Sequence, residues 1–237
     1  MKNSFISFAV SILVLVASGC NSKSNTDAVL NSTTTTKSPM KYLALGDSYT
    51  IGQSVDLNQN FPHQLVDSLK LQGISIDNLE TIARTGWTTD NLQNAITQAN
   101  PQGPYDLVTL LIGVNNQYRG YDTSAYVKEF EELLQQSIKF AGNNISHVFV
   151  LSIPDYGCTP FGASNKEKIG KEIDLYNAIA LKICAKYKVQ FFDITPISRQ
   201  ASNHPELVAS DGLHPSALMY SQWIKLIYKD IAKKVKH

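Results

Sequence analysis

The segment MKYLALGDS, residues 40–48, places a short apolar run directly before a turn that carries a serine. Tyr42–Leu45 is apolar without interruption, and such continuity predicts a strand that is covered on both faces of a sheet. Gly46-Asp47-Ser48 has the composition of a turn, so the chain is predicted to leave the sheet there. A serine at the end of a buried strand makes this segment the first candidate for chemistry.

The rest of the chain repeats this pattern of a buried strand followed by a helix. Four further apolar runs, the first of them weaker, predict strands at Ile74–Ile82, Leu107–Ile112, Val148–Ile153 and Val189–Phe192. Between and after them, apolar residues recur at helical spacing. The clearest faces are Tyr126, Phe130, Leu133, Leu134 and Ile138; Ile169, Ile173, Tyr176, Ala180 and Ile183; and, after Pro215, Leu218, Met219, Trp223, Leu226, Ile227 and Ile231. Strand and helix alternating five times predicts an α/β fold with a parallel sheet and helices on both faces.

The composition excludes several functional classes. At 237 residues, with 43% apolar and 17% charged residues, the chain suits one globular domain with a short appendage rather than a disordered chain. A formal net charge of +1 gives no basic surface, so we expect no nucleic-acid partner. The sequence lacks His-Glu-x-x-His, Cys-x-x-Cys, Gly-x-Gly-x-x-Gly and P-loop spacings, so we expect neither a metal nor another cofactor.

The first 39 residues have the pattern of an export signal and a tether. A lysine near the start, an apolar run from Phe5 to Ala17 and small residues before Cys20 are typical of a secretory signal. The run is shorter than the roughly 20 residues of a membrane-spanning helix, which argues against a retained transmembrane segment. We predict a signal peptide over residues 1–19, a polar flexible tether over residues 20–39 and a folded domain over residues 40–237.

Cys20 follows Ala17-Ser18-Gly19, and this arrangement resembles the lipobox of bacterial lipoproteins. The resemblance implies that Cys20 is acylated, with palmitate among the acyl groups, and becomes the first residue after cleavage. It also implies a membrane-anchored protein of the bacterial cell envelope, either periplasmic or at the cell surface. The alternative is a plain signal peptide in which Cys20 is incidental.

Polar residues cluster at the predicted ends of three elements. Ser48 follows the first strand, Gly113-Val114-Asn115-Asn116 follows the third, and Asp211-Gly212-Leu213-His214 precedes the last helix. Each cluster alone has the composition of an ordinary turn. Together they supply a serine, a histidine and an aspartate, which are the groups that nucleophilic acyl transfer requires. A backbone glycine N–H and an asparagine amide are suitable donors to the oxyanion that forms in such a reaction.

Some other residues are alternative candidates for the catalytic roles, and the sequence leaves the roles of several more open. His204 lacks an acid three residues earlier, so His214 is preferred as the base, and Asp193 suits a capping role better than a catalytic one. Several aromatic residues lie in loops on the predicted site side and suit either an acyl or sugar pocket or ordinary packing: Tyr49, Trp87, Tyr118, Tyr121, Tyr156 and Phe161. Cys158 and Cys184 are left open as a disulfide pair, since export would permit one.

Four of these motifs, in this chain order, resemble the SGNH hydrolases, also called the GDSL esterase/lipase superfamily. Gly46-Asp47-Ser48 resembles its first block, Gly86 its second, Gly113-x-Asn115 its third and Asp211-x-x-His214 its last. Many members carry Asp where this chain has Asn116, and we expect little effect because the donor carried over is Asn115. The resemblance spans residues 40–237 and implies a three-layer α/β/α domain with a flavodoxin-like, five-stranded parallel sheet.

The resemblance also implies roles for individual residues in ester hydrolysis. Ser48 is the expected nucleophile, His214 the general base and then acid, and Asp211 the carboxylate that holds the His214 tautomer. The expected oxyanion hole is formed by the backbone N–H groups of Ser48 and Gly86 and by the Asn115 amide. Neither a metal nor another cofactor is expected.

Two substrates remain open within this reading. A lysophospholipid or other fatty-acyl ester suits a membrane anchor, and an acetylated carbohydrate suits a shallow site rimmed by Trp87 and tyrosines. A protein of a different class, a non-catalytic glycan-binding protein of the envelope on the same fold, is the alternative to an enzyme.

Overall fold

In a computed structural model, the structure describes residues 40–236, which contain a five-stranded, entirely parallel sheet in the order β2-β1-β3-β4-β5. The predicted signal peptide and tether, with Cys20, lie outside the described residues. The strands are β1 (Met40–Gly46), β2 (Ile76–Ala83), β3 (Leu107–Leu111), β4 (Val148–Leu151) and β5 (Gln190–Phe192). The flavodoxin-like α/β sheet predicted from the sequence is confirmed, with small shifts at the strand ends.

The sheet strands are connected by helices whose starts carry capping side chains. Asn60, Asp122 and Ser216 each accept a hydrogen bond from a backbone N–H in the first turn of the helix that follows. The helices are α1 (Ser48–Ile51), α2 (Phe61–Lys70), α3 (Thr89–Ala99), α4 (Val114–Tyr118), α5 (Thr123–Phe140), α6 (Lys166–Tyr187), α7 (Thr195–Ser198) and α8 (Ala217–Val235). Among residues 40–236, no helix is long and apolar enough to span a membrane.

The burial of each strand explains the strength of its sequence signal. Strands β3 and β4 are buried at every position, and β1 at all but Lys41, because other strands flank them and helices cover them. Strand β2 lies at the sheet edge and buries only Ile82 fully. A half-exposed edge strand does not need a continuous apolar run, which accounts for the weaker pattern at Ile74–Ile82.

The register of the sheet brings three strand ends together. Gly46, the last residue of β1, pairs with Ala83 of β2 on one side and with Leu111 of β3 on the other. The segments that leave these strands therefore begin side by side at one edge of the sheet. In parallel sheets this carboxyl edge is where sites form.

The last helix is anchored against α2 by an aromatic cluster. Trp223 is fully buried, and its ring centroid lies 6.2 Å from that of Phe61 and 4.9 Å from that of Tyr220. The Tyr220 hydroxyl donates a 3.0 Å hydrogen bond to the backbone carbonyl of Tyr49 in α1. These contacts fix the start of α8, and the loop before it, beside the segment that follows β1.

Candidate active site

Ser48 is the first residue of α1 and follows directly from the end of β1. Asp47 caps this short helix, because its Oδ1 accepts the Tyr49 backbone N–H at 3.0 Å. A Cβ atom at Gly46 would overlap the side chain of Thr50 and the carbonyl of Leu111, so only glycine fits there. Ser48 is thereby held at the sheet edge, with 5% of its surface exposed.

Asp211 and His214 form a hydrogen-bonded pair in the loop before α8. His214 Nδ1 lies 2.6 Å from Asp211 Oδ2, and Asp211 Oδ1 accepts the backbone N–H groups of Leu213 and His214 at 2.9 and 3.0 Å. An ionised carboxylate can only accept, so Nδ1 carries the proton in this contact. That tautomer leaves Nε2 as the basic nitrogen of the ring.

The Asp211 carboxylate receives a further hydrogen bond from Ser54. The Ser54 hydroxyl donates to Asp211 Oδ2 at 2.6 Å, so this oxygen accepts from both Ser54 and His214. Partial burial by itself would raise the pKa of Asp211, but the hydrogen bonds from Ser54, His214 and the two backbone N–H groups outweigh it. They hold the pKa of Asp211 well below its usual range, and the group stays ionised at neutral pH.

The serine and the histidine line the same cavity. Its volume is about 200 Å³. The ring of Tyr49, the residue after Ser48, packs edge-on against the His214 ring with centroids 5.8 Å apart. The lining residues are Ser48, Tyr49, Thr85, Gly86, Val114, Asn115, Tyr118, Tyr156, Phe161, Leu213 and His214. Two groups that are distant in the chain thus line one cavity.

Gly86 and Asn115 reach the cavity from the ends of β2 and β3. Gly86 has a φ of +82°, a left-handed conformation that favours glycine, and its carbonyl accepts a 2.7 Å hydrogen bond from Arg119 Nη2. Asn115 Nδ2 donates one hydrogen to the Trp87 carbonyl at 2.9 Å. An amide nitrogen has two hydrogens, so Asn115 keeps a second donor for a ligand in the cavity.

Asn116 has a positioning contact that the sequence motif did not reveal. Its side chain is fully buried, with Oδ1 accepting the Thr89 backbone N–H at 3.1 Å and Nδ2 donating to Thr89 Oγ1 at 2.6 Å. This pair of bonds ties α4, the helix that also holds Asn115, to the start of α3. The Asn116 amide therefore bonds both the backbone N–H and the hydroxyl of Thr89. In the sequence, the only signal for this positioning contact is that a polar residue follows Asn115 in the motif.

Asp47 is the second carboxyl beside the cavity, and its surroundings differ from those of Asp211. It is fully buried, and its Oδ2 has no hydrogen-bond partner. Burial raises the pKa of Asp47 to about 7, although backbone hydrogen bonds partly oppose the shift. A carboxyl that is largely protonated below neutral pH therefore lies directly before Ser48.

The competing residues lie away from the cavity. His204 is exposed and contacts Glu206 at 3.1 Å, whereas Asp193 accepts hydrogen bonds from the Ser152 hydroxyl and the Thr195 backbone N–H at 3.0 and 3.1 Å. None of these contact partners lines the cavity. Of the loop aromatics, Tyr49, Tyr118, Tyr156 and Phe161 line the cavity, and Trp87 and Tyr121 do not.

The two cysteines of the described domain are separate, buried thiols. Cys158 lies in the loop after β4 and Cys184 near the end of α6, and neither is bonded to another cysteine. Burial raises the pKa of the Cys184 thiol to about 12, so it is not a reactive thiolate. Among residues 40–236, no cluster of three or more His, Cys, Asp or Glu side chains is suited to hold a metal ion.

Comparison with known proteins identifies a family and a relative. Residues 44–222 match the GDSL-like lipase/acylhydrolase family. An arylesterase from Vibrio mimicus is 25% identical over 175 residues, which cover 74% of this chain and 80% of the relative.

Solved structures share the fold at low sequence identity. The crystal structure of TesA superposes with a TM-score of 0.66 at 14% identity, covering 82% of this chain and 99% of TesA. An acetyl xylan esterase from Geobacillus stearothermophilus gives 0.61 at 18% identity, covering 81% and 94% of the two chains. The match over most of the chain, together with the fold, shows that this protein is a member of the GDSL-like lipase/acylhydrolase family and a carboxylic ester hydrolase.

Proposed function

We propose that this esterase acts through a Ser48-His214-Asp211 triad. The observation that carries the proposal is the meeting of Ser48 and the Asp211-bound His214 in one cavity. Asp211 fixes the proton on Nδ1, so Nε2 is the nitrogen that can take the proton from a serine hydroxyl. A serine hydroxyl is a weak nucleophile at neutral pH, and such a base is what activates it.

The proposed reaction has two steps that share one base. Ser48 Oγ attacks the ester carbonyl while His214 takes its proton, and the tetrahedral intermediate then expels the alcohol, to which His214 returns the proton. Water attacks the resulting acyl-serine with the same assistance from His214, which releases the acid and restores Ser48. Asp211 stays ionised throughout and stabilises the positive imidazolium.

The proposed oxyanion hole is formed by three donors in the cavity that His214 lines. Its donors are the backbone N–H groups of Ser48 and Gly86 and the second amide hydrogen of Asn115. The Asn115 amide is held by its bond to Trp87, so it needs no rearrangement when charge develops on the carbonyl oxygen. Removing one donor of this kind typically costs about 10²–10³ in rate.

The cavity size favours a short acyl or aryl group over a fatty-acyl chain. At about 200 Å³ it is only a little larger than an engineered apolar cavity of roughly 150 Å³ that binds benzene. An acetyl or benzoyl group fits such a space, and a long acyl chain would extend outside it. The arylesterase and the acetyl xylan esterase among the similar proteins act on esters of this size class by name.

An ester panel tests the proposal. The full chain is assayed with p-nitrophenyl acetate, butyrate, decanoate and palmitate, alongside Ser48→Ala and, as a matched control, Ser146→Ala, which changes an exposed serine outside the cavity. We expect the acetate and butyrate to be the best substrates and Ser48→Ala to lose at least about 10³ of the rate. Equal inactivity of wild type and Ser48→Ala on every ester would instead favour a non-catalytic glycan-binding protein.

We also propose that the enzyme works in the bacterial cell envelope on a lipid anchor at Cys20. The support is the apolar run ending in Ala17-Ser18-Gly19-Cys20 and the polar stretch that separates it from the folded domain. Radiolabelled palmitate fed to cells producing the full chain should be incorporated, and Cys20→Ser should abolish incorporation. A soluble, unlabelled product with intact Cys20 would contradict the anchor.

A further inference from the structure

A polar groove continues from the catalytic cavity along α6. Tyr118, Tyr156 and Phe161 line both the cavity and this groove, so the two spaces meet at these three rings. The groove has a volume of about 390 Å³, roughly twice that of the cavity. Its remaining lining consists of Gln117, Gly120, Gly162, Asn165, Lys168, Ile169 and Glu172, and we refer to it as the outer groove.

The three rings form a wall with exposed faces. Tyr118 is 59% and Phe161 51% exposed, whereas Tyr156 is buried behind them. The ring centroids are 6.2 Å apart for Tyr118 and each neighbour and 6.3 Å for Tyr156 and Phe161, so the rings support one another. Because exposed aromatic surface at a site entrance costs solvation, such a wall suits a ligand with a flat apolar face.

Much of the remaining lining of the outer groove is polar, with one positive and one negative side chain. Gln117 Nε2 donates to Glu172 Oε2 at 2.7 Å, and Lys168 lies 3.9 Å from Glu172 on the same helix. The Lys168 side chain is 74% exposed, so its ammonium is free to turn towards a ligand. One lysine beside one glutamate gives no net charge to attract an anionic headgroup, but the two side chains offer both donors and acceptors.

We propose that the outer groove binds the alcohol portion of the ester and that this portion is a neutral oligosaccharide. The inference rests on the proposed function, since it places the acyl group beside Ser48. A pyranose ring has apolar C–H faces, which pack on aromatic rings, and hydroxyls around its edge, which need donors and acceptors. The aromatic wall meets the first requirement, and Gln117, Lys168 and Glu172 meet the second.

Binding and hydrolysis are measured separately to test this. The full chain and its Ser48→Ala variant are titrated with xylohexaose and with cellohexaose by calorimetry, and p-nitrophenyl acetate hydrolysis is followed in parallel. We expect a dissociation constant on the order of 1 mM for at least one sugar. Phe161→Ala and Lys168→Ala should weaken it about tenfold and threefold, respectively. Lys182→Ala, on α6 but outside the groove, is the matched control and should bind as wild type does.

The outcomes separate the two ideas. Hydrolysis of the acetate without binding of either sugar, or equal binding by wild type, Phe161→Ala and Lys168→Ala, overturns the groove inference alone. Sugar binding without hydrolysis of any ester leaves the groove and overturns the proposed function. Saturable binding of lysophosphatidylcholine that Phe161→Ala abolishes, in place of sugar binding, would assign the groove to a lipid and also overturn the inference.

A second inference rests on a separate contact, the hydrogen bond between Ser54 and Asp211. Ser54 has a φ of +69°, a left-handed backbone conformation that is unfavourable for a residue with a side chain. In this conformation its hydroxyl crosses from the loop after α1 to the loop before α8 and donates to Asp211 Oδ2 at 2.6 Å. We infer that Ser54 is a positioning residue for the proposed triad, because it shares with His214 the same carboxylate oxygen.

The consequence concerns the basicity of the His214 ring. A second donor on Asp211 Oδ2 draws charge away from the bond to Nδ1, so its removal lets the carboxylate stabilise the imidazolium more strongly. The other titratable side chains that line the cavity with His214 are Tyr49 of α1, Tyr118 of α4 and Tyr156 of the loop after β4. None of the three is hydrogen-bonded to the Ser54 hydroxyl, which donates to Asp211.

The test is the titration of His214 by NMR, combined with the pH dependence of kcat/KM. In Ser54→Ala and Ser54→Gly, the titration midpoint and the acid limb should both move to higher pH by about 0.5 unit. Agreement between the two variants separates the hydroxyl from the backbone, because glycine relieves the left-handed conformation and alanine does not. Ser146→Ala, which removes the hydroxyl of an exposed serine outside the cavity, is the control and should leave both unchanged. A midpoint within 0.1 unit of wild type in both Ser54 variants overturns the inference, whether or not the chain hydrolyses esters.

Discussion

Asp47 and Asp211 lie beside the two proposed reacting groups, and their carboxyls experience opposite surroundings. Asp47 precedes Ser48, is fully buried and has one oxygen without a partner. Asp211 precedes His214 by three residues, is partly exposed, and accepts hydrogen bonds from two side chains and two backbone N–H groups. Burial raises the pKa of Asp47 to about 7, and hydrogen bonds lower that of Asp211.

The difference shows that closeness to the reaction does not determine what a carboxylate does. Asp211 is built to be a permanent anion, which is what a partner of an imidazolium requires. Asp47 is built as a helix cap whose charge is disfavoured by its position. An anion directly behind Ser48 would also oppose the negative charge that develops on the substrate. Each of the next three predictions concerns a change to one or both of these carboxyls.

The largest expected effect is on activity. Asp211→Asn should reduce kcat on p-nitrophenyl acetate by about 10³–10⁴, the range seen when the carboxylate of other Ser-His-Asp hydrolases is neutralised. Asp47→Asn keeps the capping oxygen and removes a charge that the site disfavours. We therefore expect kcat of this variant to fall by less than about tenfold. Steady-state kinetics of the two purified variants decide the comparison. Similar losses in both would show that the two carboxyls are not functionally distinct.

The next effect concerns stability as a function of pH. The folded-state pKa of Asp47, about 7, exceeds the unfolded value of about 3.9, so the folded protein binds the extra proton between these limits. The stability this contributes is present below about pH 4 and is lost as the pH rises towards 7. The free energy of unfolding of Asp47→Asn, relative to that of wild type at the same pH, should rise by on the order of 1 kcal/mol per pH unit across this window.

Urea unfolding at pH 4, 5, 6, 7 and 8 measures this difference. The amide N–H₂ group replaces an oxygen that has no hydrogen-bond partner, so it adds an offset in stability that does not depend on pH. Beyond that offset, the Asp47→Asn curve should move in favour of the variant relative to wild type as the pH rises from 4 to 7. Parallel curves at all pH values would contradict a raised pKa for Asp47.

The smallest expected effect is at Asp211, whose contribution to folding stability changes with pH in the opposite direction to that of Asp47. Its folded-state pKa lies below the unfolded value, so its contribution is present above about pH 4 and is lost as the pH falls further. Because the side chain is partly exposed, solvent screening limits the contribution to about 1 kcal/mol or less. The midpoint temperature of thermal unfolding should therefore fall less steeply between pH 5 and pH 3 in Asp211→Asn than in wild type. A steeper fall of this temperature in the variant would contradict a lowered pKa for Asp211.

The sequence was sufficient for the strands and the strand-end residues because both leave local patterns. A strand covered on both faces must be continuously apolar, as Tyr42–Leu45 is, and chemistry at a parallel sheet collects at the carboxyl ends. Ser48 and His214 follow from these two rules together with the chain order of the motifs. The edge strand β2 was harder because it is half exposed.

The remaining site contacts could not be predicted because no local pattern records them. Ser54 meets Asp211 only after α8 docks beside α1, and nothing in the composition of the loop distinguishes this serine from others. The presence of Asn rather than Asp at residue 116 was expected to have little effect, and the sequence did not indicate that Asn116 is fully buried and bonds both the backbone N–H and the hydroxyl of Thr89. In both cases the hydrogen-bond partner lies in a distant segment of the chain, and the packing of the two segments brings the partners together.

The central claim is that His214 activates Ser48, and covalent labelling tests it most directly. A fluorophosphonate reacts with a serine oxygen by displacing fluoride, and it requires the serine to be activated by its base. Mass spectrometry of the labelled full chain is predicted to find one adduct, on Ser48, and His214→Ala is predicted to reduce its rate of formation by at least about 10³. An adduct on another residue, or labelling of Ser48 at the same rate in wild type and His214→Ala, would contradict the account.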